Sequence, residues 1–378
     1  MKRYIMAPGP VAVDPHVLSV MSEPLIHHRS PQFSAILTKV RNDLKYLYQT
    51  QNDCLIFASS GTGGMEASVA NLLSPGDKAI CVVAGKFGER WAELCDAYGI
   101  DHVDVDVEWG MAVDPSQVEK ALNDHPDAKA VFIQAHETST GVKHPVKEIG
   151  ELISKRDNTV FVVDAISAMG VYDLQTDNWG LDVVITGSQK SLSLPPGLSI
   201  VSVSEKAWKM AEKVKGPRYY FNFLKEKKAL SKETTAYTPA VSLIIGLGEV
   251  LKQFKDMGLE ALFAHHKRLS EATKAAIAAI GLKQFPKTPS EAITVIEAPD
   301  GINGQDVVKI LREEYGITIA GGQAQLKGKI FRISHYGYLC QWDMIIAISA
   351  IERALNQLGH KIEFGKAVAA AQEYFANN

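Results

Sequence analysis

The run Thr186-Gly187-Ser188-Gln189-Lys190-Ser191-Leu192-Ser193-Leu194-Pro195-Pro196-Gly197 follows directly on the apolar stretch Val183-Val184-Ile185. A lysine held just beyond a buried strand end, in a loop stiffened by two prolines, is partly desolvated. That disfavours its ammonium form and frees the amine as a nucleophile. Lys190 is thus placed for Schiff-base formation with an aldehyde. A solvated loop lysine is the plainer account, and its neighbours must decide. One neighbour in function is Ala58-Ser59-Ser60-Gly61-Thr62-Gly63-Gly64-Met65-Glu66-Ala67, joining the run Cys54-Leu55-Ile56-Phe57 to a helical pattern. Small residues there let backbone N–H groups and the Ser60 and Thr62 hydroxyls converge at a helix N-terminus, where the dipole favours a phosphate. The segment is neither a P-loop nor a clean dinucleotide fingerprint. By itself it reads equally well as a glycine-rich turn.

Asp164 ends the run Thr159-Val160-Phe161-Val162-Val163. A carboxylate at the C-terminal edge of a parallel sheet lies where open α/β sheets bind ligands, and it could keep a heterocyclic nitrogen protonated; a helix N-cap is the competing role. Arg332 interrupts the apolar stretch Ile330-Phe331-Arg332-Ile333. Its charge needs an anion, either a substrate carboxylate held in bidentate fashion or a structural salt bridge. Phe87 follows another strand end and could lay its ring on a flat cofactor, or serve as a core aromatic. Cys340 and the pairs His27-His28 and His265-His266 have no partner pattern for thiol or metal chemistry.

The elements that must position these groups are legible as changes of period. Phe33, Ile36, Leu37, Val40, Leu44 and Leu47 recur at helical spacing. Short solid apolar runs follow at 54–58, 79–84, 130–133, 160–163, 183–185 and 198–201, mostly with amphipathic stretches such as 88–98 and 146–155 between them. Runs apolar on both faces, alternating with amphipathic helices, require a mostly parallel sheet covered on both sides. Beyond Thr238-Pro239 come two helical patterns. Strands near 293–296 and 330–333 and a helix over 342–358 follow, and these read as a smaller α+β domain, with the boundary near residue 255.

Composition narrows the classes. The 378 residues are 46% hydrophobic and 22% charged with a formal charge of -3, the mix of a globular chain with a sizeable core and no footprint for nucleic acid. At this length about two domains are expected. No apolar run is long enough for a membrane span, the start lacks a signal-peptide pattern, and four cysteines without ligand spacing suggest a reduced compartment. The expectation is a soluble, cytoplasmic, metal-free protein with no membrane or nucleic-acid partner.

Strand, Ser-Gly-Thr-Gly and helix, an aspartate about 100 residues on, and Gly-Ser-Gln-Lys about 25 further form a combination that resembles the class V, fold-type I pyridoxal-phosphate (PLP) aminotransferases of the alanine–glyoxylate or serine–pyruvate type. The resemblance runs from Ala7-Pro8-Gly9-Pro10 through His136-Glu137-Thr138-Ser139-Thr140-Gly141-Val142 and Tyr237-Thr238-Pro239-Ala240-Val241-Ser242 to Phe331-Arg332-Ile333-Ser334-His335. It implies a PLP-dependent transferase fold. A large domain at 16–255 would hold a mostly parallel seven-stranded sheet, and a small α+β domain would comprise 256–378 with the segment 1–15.

The same resemblance implies roles. Lys190 would link covalently to the cofactor and shuttle the substrate Cα proton, and Asp164 would pair with the pyridinium nitrogen. Ser60, Gly61, Thr62 and Gln189 would hold the phosphate, Phe87 would stack on the ring, Thr138 would bond near the ring oxygen, and Ile166 would pack on the opposite face. Arg332 would grip the α-carboxylate beside the Gly9 backbone. Thr238 would reach a neighbouring subunit's phosphate, which makes a homodimer part of the expectation. Thr235 stands where relatives often have tyrosine three residues before that threonine, which leaves Thr235 or Tyr237 to support the contact. The implied reaction is ping-pong transfer of nitrogen from a small amino acid, serine or alanine, to pyruvate or glyoxylate. Aspartate ranks behind these, since only Arg29 or Arg218 could take a distal carboxylate. A cysteine desulfurase is disfavoured because 320–326 contains no cysteine. A non-catalytic binding subunit is disfavoured by the presence of Lys190, Asp164 and Arg332 together.

Overall fold

The computed structural model describes residues 2–378. The apolar runs form a seven-stranded sheet in the order Asp53–Phe57, Ser199–Val203, Val183–Gly187, Val160–Asp164, Ala130–Gln134, Lys78–Val83, Asp101–Asp106. Ser199–Val203 is antiparallel to both its neighbours, and the other pairs are parallel. The four strands from Ser199–Val203 to Ala130–Gln134 are buried at every residue, as helices on both faces demand. Their alternation splits the core in two. Ile56, Val131, Phe161 and Val184 pack on one face, and Leu55, Phe132, Val162 and Ile185 on the other.

Asp101–Asp106 is the strand that the apolar runs did not announce. It lies at the sheet edge with only Val105 buried, so its sequence Asp-His-Val-Asp-Val-Asp carries charge where a second sheet could otherwise add. Parallel strands deliver their C-terminal ends to one side. Asp164, the Lys190 loop, the Ser60 turn, Phe87 and Thr138 all leave the sheet there, where open α/β sheets bind ligands.

The Pro31–Tyr48 helix begins at Ser30, whose hydroxyl accepts from Phe33 N at 3.2 Å, and it packs against the Val241–Met257 helix. After Gly258 the Leu259–Ala279 helix leads to an antiparallel sheet of Ile293–Glu297, Ile330–Ser334 and Ala320–Gly321. Leu269, Ile296, Phe331, Val307 and Ile348 share a separate core cluster there. The N-terminal strand Tyr4–Ile5 pairs in parallel with Ile317–Thr318, and Met6 joins that cluster, while Val11 and Val17 belong to the large one. Residues 6–11 therefore bridge the two clusters, which carries Pro8 and Gly9 to the sheet edge. No helix among the described residues is long and apolar enough to cross a membrane.

Four histidines are buried in the neutral form. Burial pushes His136 down to about 3 and His144 and His266 to about 4, and His335 well below its ordinary value. In the unfolded chain each takes a proton near pH 6.5, so their stabilisation is whole above that pH and is lost as pH falls toward 4. A drop from 6.5 to 4 is worth about 3 kcal/mol per group. Asp164, raised by burial to about 7, works in the opposite direction over the same interval. Four imidazoles outweigh it. The denaturation midpoint of the apoprotein is expected to fall from pH 7.5 to pH 5, and a flat or rising midpoint would refute this account.

Candidate active site

Ser188 ties the lysine loop shut. Its N–H donates to Leu198 O (2.9 Å), its hydroxyl donates to Pro195 O (2.7 Å) and accepts from Leu198 N (3.0 Å), and its carbonyl accepts from Leu194 N (3.0 Å). Lys190 leaves this closed loop with Nζ donating to Pro8 O at 2.5 Å, a carbonyl that also accepts from the Tyr336 hydroxyl at 2.9 Å. Gly9 has φ +135°, and a Cβ there would come within 2.8 Å of Lys190 Cδ, so only glycine lets the N-terminal segment lie against the lysine. Burial first, and the Arg332 charge second, push the Lys190 amine down to about 8. That is the lowered basicity a nucleophilic amine needs.

Asp164 is buried at the end of its strand, with Oδ1 accepting from Ile166 N at 2.8 Å. The acceptor role considered for it exists, but it closes a turn, since no helix starts here. Desolvation pushes the carboxyl up to about 7, and the Ile166 N–H, Arg90 and Lys190 hold it back. A cationic ring nitrogen would return it to the ionised form. Ser60 heads the Gly61–Leu72 helix without capping it through its side chain. The Ile166 side chain fills the space beside Gly61, whose Cβ would meet Ile166 Cδ1 at 2.4 Å. Gly61→Ala is therefore expected to push Ile166 toward the cradle and weaken PLP affinity by about tenfold, about 1.4 kcal/mol; unchanged affinity in a fluorescence titration of the apoprotein would remove Gly61 from the cradle. Gln189 lies between this turn and Lys190 with a buried, unpartnered Oε1.

Phe87 sits half-buried in the first turn of the Lys86–Tyr98 helix, with the Arg90 guanidinium 4.8 Å from its ring centroid. Arg90 Nη1 also donates to Thr62 Oγ1 at 3.1 Å, which places a cation at the cradle. Sequence reasoning passed over Arg90. The available signal was its position three residues after Phe87 on one helix face. Thr138 Oγ1 lies 2.6 Å from Ser167 Oγ, and Thr138 O accepts from Arg332 Nη1 at 2.8 Å. Arg332 also donates through Nε and Nη2 to Gly321 O (3.0 and 2.7 Å), and Nη1 lies 3.5 Å from Gln323 Oε1. These acceptors are neutral. Among the described residues no carboxylate lies within 4.0 Å of Arg332, so the salt-bridge account of this arginine is removed. A guanidinium 6% exposed with no carboxylate in contact has the charge and the donors to receive an anion.

Thr238 stands apart. It is exposed beside Ala58, Tyr220 and Pro239. The Thr235 hydroxyl donates to Tyr237 O at 2.7 Å, and the Tyr237 hydroxyl accepts from Lys225 Nζ (2.9 Å) and donates to Tyr219 O (2.8 Å). Both of the side chains considered as supports are thus engaged within the chain. Arg29 is bound to Thr234 and Thr235, and Arg218 to Ala211 O. Cys340 is exposed at the head of the Gln341–Gln357 helix. The fold gathers Cys81, His102 and Asp104, which spacing did not reveal. His102 bonds Asp104 and Asp96 through its two ring nitrogens, at 2.8 and 3.3 Å, and these two carboxylates raise its pKa, favouring the imidazolium.

A buried amine, a buried carboxylate at a strand end, an uncapped helix N-terminus with hydroxyls and a nearby cation, and an unpaired guanidinium are the donor set of a fold-type I PLP site, and the residues present fit that cofactor. The sequence matches the aminotransferase class-V family over residues 17–344, and the chain belongs to it. It is a PLP-dependent transaminase. Over 98% of its length it is 40% identical to the soluble hydrogenase small subunit of Synechococcus sp. (strain PCC 6716), covering 97% of that protein. It is 34% identical to L-aspartate–glyoxylate aminotransferase of Paracoccus denitrificans, covering 98% of this chain and 96% of that one. The crystal structure of ureidoglycine–glyoxylate aminotransferase from Bacillus subtilis superposes with a TM-score of 0.96 at 32% identity, covering 100% and 99% of the two chains.

Proposed function

We propose that this transaminase moves an amino group from a small amino acid, serine or alanine, to a small 2-oxo acid, pyruvate or glyoxylate. The observation that supports the reading is Arg332, a buried cation with no carboxylate within 4.0 Å among the described residues, close enough to Lys190 for its charge to depress the lysine. One carboxylate satisfies it. Arg29 donates to Thr234 and Thr235, and Arg218 to Ala211 O with its Nη1 buried and unpartnered; no contact ties either arginine to Arg332, which favours a donor with one carboxylate. Relatives named for serine–glyoxylate and for aspartate–glyoxylate transfer stand on either side of this choice.

When bound, PLP supplies an aldehyde carbon and an electron-withdrawing ring. Ser60, Gly61, Thr62 and Gln189 would hold its phosphate, with Thr238 contributed by a second copy of the chain in a homodimer. Asp164, ionised, would keep the ring nitrogen protonated. Phe87 and Ile166 would cover the ring, and the Thr138 hydroxyl would bond near the ring oxygen. Arg332 takes the substrate carboxylate beside the Gly9 backbone and so aims the Cα–H bond toward Lys190. The neutral Nζ of Lys190 then accepts the Cα proton and later returns one.

Amino acids added singly to the yellow holoenzyme test the donor. Serine or alanine is expected to bleach the colour fastest. Bleaching by aspartate alone would overturn the choice of donor, and release of sulfide from cysteine without nitrogen transfer would overturn the reaction.

A further inference from the structure

Glu137 is wholly buried and belongs to none of the contacts assigned above. Its Oε2 accepts from the backbone N–H groups of Phe87 (3.1 Å) and Gly88 (3.0 Å), and its Oε1 accepts from the Ser139 N–H (3.0 Å) and hydroxyl (2.6 Å). Ser139 Oγ in turn accepts from Lys86 N at 3.0 Å. Among the described residues no lysine, arginine or histidine nitrogen lies within 4.0 Å of the carboxylate, so donors alone hold it. Two of these four donors are unsatisfied N–H groups of the first turn of the Lys86–Tyr98 helix, where the dipole favours an anion. The other two belong to the turn that follows Thr138.

One carboxylate therefore joins two pieces of the site that are 50 residues apart in sequence. One piece carries the Phe87 ring with Arg90 behind it. The other carries Thr138, whose carbonyl is an acceptor for Arg332. We propose that Glu137 is a positioning residue that fixes the Phe87 ring and the Thr138–Arg332 contact in one rigid arrangement, so that the cofactor-covering and carboxylate-binding parts of the site are set together. The proposal rests on the reading of Phe87 and Arg332 given above. Its charge also reaches the site through space, raising the pKa of Asp164 and of Arg332.

Glutamine in place of Glu137 keeps the shape but turns one acceptor into a donor that faces donors. The test titrates apoenzyme with PLP across pH, and titrates each holoenzyme with propionate, an unreactive carboxylate, as a competitive inhibitor. Glu137→Gln is expected to weaken both affinities by about tenfold, as a slight misplacement of positioning groups does. It is also expected to lower the pH at which PLP affinity rises, because a negative charge beside Asp164 is gone while Arg90 and Lys190 still face it. Glu137→Asp keeps the charge and should keep the pH midpoint while losing part of both affinities. A lower unfolding midpoint with propionate affinity and pH midpoint unmoved would mean that Glu137 is merely structural, and would overturn the proposal. If Glu137→Gln does not fold, Ser139→Ala decides, since it removes one donor to the carboxylate: unchanged PLP and propionate affinities overturn it. Arg332→Ala separates the two levels. Propionate affinity unchanged in that variant would sink the reading of Arg332 and this proposal with it. A loss there with none in Glu137→Gln would sink this proposal alone.

Discussion

Lys190→Ala is expected to reduce turnover by at least about 10⁴-fold, the upper range for losing a positioned acid–base group. The reasoning is local. Nζ is held at Pro8 O by a loop that Ser188 closes, and burial with the Arg332 charge lowers its basicity to about 8. Among the described residues no other lysine has that combination: Lys86 is tied to Glu89, and Lys143 to Glu291. The variant should still bind PLP without a covalent link, because the phosphate cradle and Asp164 are untouched. Borohydride treatment followed by peptide mapping should find the modified lysine at 190 in the wild type and nowhere in the variant. In the wild type, the rate of covalent attachment should rise with pH through about 8, since the neutral amine is the nucleophile and its fraction grows as pH passes the lysine's own value. Near-normal turnover in Lys190→Ala would remove Lys190 from its role.

Arg332→Ala is expected to raise the Michaelis constant for the amino donor by an amount corresponding to about 2–5 kcal/mol, with kcat changed less. The size follows from the environment. A buried guanidinium bound to Gly321 O, Thr138 O and Gln323 Oε1 has met its hydrogen-bonding needs in part, and its charge is offset only through space by Glu137, with no carboxylate in contact among the described residues. A carboxylate adds the missing charge in a dry site. Arg332→Lys should recover part of the loss, since an ammonium keeps the charge but not the planar fork. An unchanged Michaelis constant in Arg332→Ala would make this arginine structural.

The legible and illegible parts of the fold differ in a physical way. Strands buried on both faces had to be solid apolar runs, and Val160–Asp164 and Val183–Gly187 lie where those runs fall. The edge strand Asp101–Asp106 was hidden because an edge tolerates, and benefits from, charge. Phe87 and Thr138 were picked out by their place in a motif, but Arg90 was not, because its importance is a contact with Thr62, 28 residues away. Asp164 and Arg332 each left two accounts open on the sequence. The salt bridge to Arg332 depended on which carboxylates the fold would bring near, and among the described residues it brings none within 4.0 Å.

By itself the sequence determined the alternation of buried strands and amphipathic helices, the loop that carries Lys190, the glycine-rich turn and the charged residues stranded among apolar ones. Those are properties of neighbours along the chain, where period and residue type carry the physics. Only the tertiary structure decided that Pro8 receives the Lys190 amine, that Thr138 O braces Arg332, and that Glu137 clasps the Phe87 turn. These contacts span 182, 194 and 50 residues, and the charge states they impose come from burial, which exists only once the separate segments have closed around one another.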